Sequence, residues 1–304
     1  MSQIQSTSPL PGTFDAGAFG LYATTVLVWG ASWYAMTFQI GIVSPEVSVV
    51  WRFVIAAGIM FAIAFVRREK LGFPLAVHLR FAAVGATMFS TNFALFYHAS
   101  HYLVTGLLAV VFSLTSVLNL LLAAVFFRTP VPPRVIAGAV LGAVGVGAMF
   151  WPEVERASFD GKVLTGLGFS VAATLSFSLG NQVSTAIQRA RIPVFPANCW
   201  GMFYGMTVLA AFALAAGRPF VLDLRTGYIL SLLYLAIFAS VVAFACYVTL
   251  LRRIGSGRAG YATVMFPVIA LLISTLFENY QWTGLALGGL ALVLVGNLFV
   301  LRRA

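Results

Sequence analysis

Acidic side chains are scarce in this chain. Only 8 Asp and Glu stand among 304 residues, against 18 Lys and Arg and 3 His. Asp15, Glu46, Glu69, Glu153, Glu155, Asp160, Asp223 and Glu278 all lie in a terminus, in a loop or at the edge of an apolar run. Their placement excludes an intramembrane aspartyl protease. It also argues against proton coupling through carboxylates, because an acid at the edge of a span is expected to be hydrated. Two cysteines, Cys199 and Cys246, are too few for a disulfide framework or a metal site. H-E-x-x-H, G-x-S-x-G and phosphate-loop patterns are missing, so no enzyme activity, cofactor or metal is expected. No stretch is left over for a soluble nucleotide-binding domain, which excludes an ATP-driven pump. Met1 to Ala16 is polar and lacks a basic start, so no cleavable signal peptide is expected.

Apolar residues fill the space that charge leaves. The chain is 61% hydrophobic and 9% charged, with a mean hydropathy of +0.98. A soluble domain carries about a quarter charged residues, so this composition belongs in lipid. The net charge of +10 sits between apolar runs, where it signals topology rather than nucleic-acid binding. The runs predict ten spans: Gly17–Ile40, Glu46–Val66, His78–His98, Leu103–Phe127, Pro133–Phe150, Val163–Ile187, Val194–Ala216, Thr226–Leu250, Ala259–Phe277 and Thr283–Leu301. The expected fold is therefore an all-α membrane protein with ten transmembrane helices. Glycines such as those in Gly138–Ala148 suit close helix packing.

Of the Lys and Arg residues, Arg52 falls inside a span and is expected to play a structural part, snorkelling from near the outer end of helix two. Arg156, Lys162, Arg218 and Arg225 fall on one set of connections, and all the others, Arg302 and Arg303 among them, on the opposite set. The positive-inside rule then predicts cytoplasmic N- and C-termini, with residues 1–16 as a cytoplasmic tail. Trp151, Tyr280 and Trp282 would lie at outer ends, where amphipathic rings favour the interface.

An internal repeat runs through the chain at an offset of about 150 residues by sequence alignment. AVVFSLTSVLNLLLAAVFF (Ala109–Phe127) falls on AGYATVMFPVIALLISTLF (Ala259–Phe277), and Gly30, Tyr97 and Gly138 fall on Gly180, Tyr247 and Gly288. The two units are 17–150 and 163–301. Five spans are an odd number, so a unit that starts inside ends outside. The copies are then inverted about an axis in the membrane plane, with a substrate site on that axis near mid-depth.

The run WGAS (Trp29–Ser32), then Pro45 and Arg52, resembles the opening of the EamA family in the drug/metabolite transporter superfamily. YATVMFP (Tyr261–Pro267), with Glu278 and Gly288, resembles the fourth helix of the second EamA repeat and the segment after it. The resemblance covers Gly17 to Leu301 and is strongest to exporters of amino acids and related metabolites of the YddG type. Arg128 and Thr129 stand where the family usually has an acid, and Leu179 where Trp29 has its counterpart. The resemblance implies a central cavity lined by helices one, three, four, six, eight and nine.

Those helices carry the candidate substrate-binding residues. The polar ones are Ser32, Asn92, His98, Ser113, Thr115, Ser116, Asn119, Asn181, Gln182 and Thr263; the aromatic ones are Trp33, Phe96, Tyr97, Phe112, Tyr247 and Tyr261. Several occupy equivalent positions: Ser32 with Gln182, Ser113 with Thr263, Tyr97 with Tyr247. Two roles compete for each polar group: facing a wet cavity, or hydrogen bonding between helices. For the rings the alternatives are cavity wall and core or lipid contact. His98 is either a gate or a solvated interfacial imidazole. Pro267 either kinks the ninth helix or serves packing.

The sequence thus points to a multi-pass carrier of the bacterial inner membrane that moves small organic metabolites by alternating access, with export the direction that the resemblance implies. Amino acids, aromatic ones included, are the substrates that the resemblance implies, moved by facilitated diffusion or exchange. Broad efflux of hydrophobic compounds is the alternative within transport, and a membrane scaffold or receptor the alternative outside it. The expected partners are a small-molecule substrate and the bilayer, with no nucleic acid; a monomer is compatible with this plan.

Overall fold

The computed structural model describes residues 15–156 and 161–301, apart from the side chains of residues 256 and 257. The N-terminal tail as far as residue 14, Asp160, Arg302 and Arg303 lie outside the described residues. Within them the fold is entirely helical. The first unit holds α1 (Ala16–Thr37), α2 (Pro45–Val66), α3 (Leu75–Ala86), π1 (Thr87–Thr91), α4 (Asn92–Ala99), α5 (Thr105–Ser113), α6 (Thr115–Phe127) and α7 (Pro133–Arg156). The second holds α8 (Gly161–Arg189), α9 (Val194–Ala215), α10 (Thr226–Leu233), π2 (Tyr234–Val242), α11 (Ala243–Ala259), α12 (Tyr261–Phe277) and α13 (Gly284–Leu301). α3, π1 and α4 run on without a break, as do α10, π2 and α11, while α5 and α6 meet at Leu114.

Among the described residues seven helices are long and apolar enough to cross a membrane: α2, Thr105–Phe127, α7, α8, α9, Thr226–Gly255 and α13. Across the molecule Val125, Leu164, Leu230 and Leu276 stand exposed on outward faces. In water such a belt would be a liability; against acyl chains it costs nothing.

Helix starts reflect the local sequence. The Asp15 carboxylate caps α1 by accepting from Ala18 N at 2.7 Å. Pro45, whose missing N–H needs no partner in a first turn, opens α2. At Gly255 φ is +81°, a left-handed value that glycine adopts without strain, and the chain breaks from helical geometry there before α12.

The two units meet through helix pairs. α7 packs along α13, α2 on α9, α5 on α12, α4 on α8 and α1 on α11 and α12. The α7–α13 seam is built on glycine. A Cβ on Gly138 would sit 2.6 Å from Gly296 O, and one on Gly145 2.6 Å from Gly289 O. As the α7 residue advances by seven, its α13 partner retreats by seven, so the two helices run antiparallel.

π1 and π2 were not expected from the sequence. They occupy equivalent places, since 87–91 shifted by 150 gives 237–241, inside π2. Ser90 and Ser240 fall on each other, and both are buried. The wider π turn lets the Ser240 hydroxyl donate to Leu235 O, five residues back, at 2.9 Å.

One end of the molecule is tied across by hydrogen bonds. Gln39 Nε2 donates to Tyr228 O at 2.8 Å and to Ser231 Oγ at 2.5 Å, and Ser48 Oγ lies 3.1 Å from Tyr228 Oη. The Glu278 carboxylate accepts from Thr105 N at 3.1 Å, from Thr105 Oγ1 at 2.7 Å and from the Ser274 hydroxyl. It neutralises the amide-rich start of α5. In the adjoining loop Asp223 is held below the usual carboxylate range by its hydrogen bond from Arg225.

Candidate functional site

A cavity of about 690 Å³ lies between the two units. It runs from Met36 and Arg52, on the side of the tied end, to Leu120, Leu251, Gly260, Val300 and Leu301 at the opposite end. Its walls come from α1, α2, π1, α4, α5, α6, α8, α9, π2, α11, α12 and α13.

One wall is aromatic. Trp33 packs edge-on to Phe96 at 4.9 Å between ring centroids, tilts over Phe112 at 5.7 Å and lies parallel to Phe266 at 6.5 Å. Trp29 sits 5.1 Å from Tyr247, and its ring N–H donates to Ala239 O in π2 at 3.2 Å. α1 also crosses α12 closely here; a Cβ on Gly30 would stand 2.6 Å from Ile269.

The second wall is polar. Asn181 Nδ2 donates to Asn119 Oδ1 at 3.3 Å, and Asn92 Nδ2 to Ala173 O at 3.0 Å. Asn297 of α13 takes the Ser116 hydroxyl on its Oδ1 and donates to Ser113 Oγ at 3.1 Å. The Ser32 and Thr263 hydroxyls return to their own helices, bonding Trp29 O at 2.7 Å and Gly260 O at 2.6 Å.

Ser32, Trp33, Asn92, Phe96, Phe112, Ser113, Ser116, Asn181, Tyr247 and Thr263 all line this cavity, as do Thr115 and Asn119. Four other candidates do not. Tyr97 is fully buried in the core beside it, its hydroxyl near Arg52 but in no well-formed hydrogen bond. Gln182 points away, donating to Asn119 O at 3.1 Å, and borders a separate hollow with Arg80 and Arg189. Tyr261 stands partly exposed, its carbonyl taking the Tyr22 hydroxyl at 3.4 Å. His98 Nε2 lies 2.8 Å from Glu46 Oε1. Pro267 is buried within α12, which continues unbroken from Tyr261 to Phe277.

Two expectations need correction. Glu46 is not hydrated at a span edge; it is 3% exposed and bound to His98. The bend before α2 brings it against α4, so position along the sequence misjudged its depth. Arg52 does not snorkel outward. It is 6% exposed, lines the cavity, and donates from Nε to Ser240 Oγ at 3.1 Å. Its guanidinium carbon lies 4.4 Å from the Phe93 ring centroid and 5.6 Å from that of Phe53. An arginine side chain two turns into a helix reaches the surface only if no partner holds it, and here π2 does.

A helical membrane fold in two matched units, with an amphipathic cavity between them, defines a carrier of small molecules. The chain belongs to the EamA-like transporter family, which matches residues 17–151 and again 164–302. It is similar to a probable amino-acid metabolite efflux pump of Escherichia coli, 28% identical over 91% of this chain and 93% of that one. A pump of the same description from Salmonella typhimurium is 26% identical over 91% and 93%. Protein PagO of that organism is 24% identical over 86% and 84%. A crystal structure 19% identical in sequence matches 93% of this chain and 96% of its own with a TM-score of 0.63, a likeness of fold.

Proposed function

We propose that the protein exports small organic metabolites, amino acids with aromatic side chains among them, across a bacterial inner membrane by alternating access. The observation that carries this reading is the amphipathic cavity at the junction of two copies of one family unit. Relatives named as amino-acid metabolite efflux pumps support the substrate class.

In this reading α1, the rod at 75–99 and α12 cross the bilayer beside the seven longer helices, giving ten crossings. The units 17–150 and 163–301 are inverted with respect to each other. The antiparallel packing of α7 on α13, which are counterparts in the repeat, supports that inversion. The Lys and Arg asymmetry puts both termini in the cytoplasm. The tied end then faces outward, and the end of the cavity at Leu120, Leu251 and Gly260 faces inward. The substrate's own gradient drives the cycle: Glu46 and His98 hold each other outside the cavity lining, and among the described residues no carboxylate lines it.

Counterflow in proteoliposomes tests the reading. Liposomes preloaded with tryptophan should take up labelled tryptophan faster than empty ones, and a pH gradient imposed at zero potential should produce no accumulation. A scaffold or receptor would show no counterflow. Accumulation powered by the pH gradient and abolished by an ionophore would replace gradient-driven exchange with proton coupling.

A further inference from the structure

We infer that Arg52 is the carboxylate anchor of the central cavity, and that the molecules it selects are flat aromatic monocarboxylates whose amino group is dispensable. The inference rests on the transport reading above and narrows it.

Arg52 donates from Nε to Ser240, and its other polar neighbour is the neutral Tyr97 hydroxyl. Among the described residues no carboxylate stands within ion-pair distance of it. A buried guanidinium without a counter-ion is unfavourable in a span unless water or an anion reaches it. The acids at the tied end of the molecule are engaged elsewhere: Glu46 with His98, Glu278 with Thr105 and Ser274. The missing anion is therefore supplied by whatever enters the cavity. A guanidinium with Nε tied back presents its terminal N–H groups as a fork, which suits the two oxygens of a carboxylate.

The repeat sharpens the point. At the 150-residue register the counterpart of Arg52 is Met202, and both line the cavity. One of two equivalent positions is cationic and the other a thioether, so the cavity is polarised and a bound molecule has one orientation. The same cavity presents the rings of Trp33, Phe96, Phe112 and Phe266, with Trp33 and Phe266 only 6° from parallel. Flat rings pack well on such a wall. An ammonium group would find amide and hydroxyl oxygens but no carboxylate among the described lining residues, and the positive field of Arg52 opposes it. The carboxylate is thus required, the ammonium tolerated, and an amine without a carboxylate rejected.

The test is counterflow of four labelled probes through the full-length wild-type protein: indole-3-acetate, tryptophan, tryptamine and indole-3-acetamide. Indole-3-acetate and tryptophan should exchange, and the amine and the amide should be at least about tenfold slower, the scale of a lost charge-assisted hydrogen bond. Arg52→Gln should remove that preference and Arg52→Lys retain part of it. Tryptamine or the acetamide exchanging as fast as indole-3-acetate would overturn the anchor while leaving transport intact. A folded Arg52→Gln protein that slows all four probes equally would also overturn it, giving Arg52 a purely structural role. If none of the four moved, the anchor and the transport reading would fall together. The probe comparison is made on the wild type, so it stands even if the variants fail to fold.

Discussion

Asn297 does not line the cavity, yet two hydroxyls that do depend on it. It is 1% exposed and bonds both Ser113 and Ser116. Replacing it with leucine should cost about 1–3 kcal/mol, the scale of orphaned buried partners. Thermal unfolding in detergent should come at a lower temperature, and the KM for tryptophan should rise. Gln182→Leu should behave differently. Its amide serves Asn119 O and Ser178 O rather than the cavity, so stability should fall while KM stays put; an equal rise in KM would return Gln182 to the site. These two residues mark what was legible. The polar and aromatic inventory of helices one, three, four, six, eight and nine contained part of the lining; Trp29, Met36, Phe53, Met88, Phe177 and Phe266 lay outside it. What it lacked was direction, because a helix that is apolar all round gives no periodic cue to which side faces a cavity. Asn297 was missed because it lies on α13, a helix the resemblance did not place at the cavity. Arg52 was found but misjudged, because its depth depends on Ser240, 188 residues away.

At the scale of elements, glycine sets how close α7 and α13 can come. Gly145→Val would drive a side chain against Gly289 O, where even a Cβ would stand at 2.6 Å. Overpacking of this kind costs typically about 1–3 kcal/mol, and backbone on the far side leaves no room to relax. The variant should melt well below wild type, whereas Gly147→Ala, with open space around its would-be Cβ, should melt like it. Equal melting of the two would mean that the seam is not tight. Most helix boundaries were readable from apolar runs, and α8 extends only two residues beyond each predicted end. The π segments and the junction at Leu114 were not. They differ from α-helix in hydrogen-bond partner rather than composition, and TMFST or YLAIFASVV reads as ordinary apolar helix.

For the whole molecule the Lys and Arg asymmetry carries the proposed orientation. Ser44 and Glu153 belong to the outer face in the proposed topology. In a background with Cys199 and Cys246 replaced, Ser44→Cys and Glu153→Cys should react with an impermeant thiol reagent added from outside. Labelling of Glu153→Cys only from the cytoplasm would reverse the topology. The paired π segments carry a further consequence, one of history. A π turn holds one residue more than the α-helix around it, so gaining it in a single copy would shift every later residue of that copy by one. No such shift occurs: Gly30 and Gly180 before the segments, and Tyr97 and Tyr247 after them, keep the same separation of 150. A turn older than the duplication accounts for that register, and in the second copy its Ser240 meets Arg52.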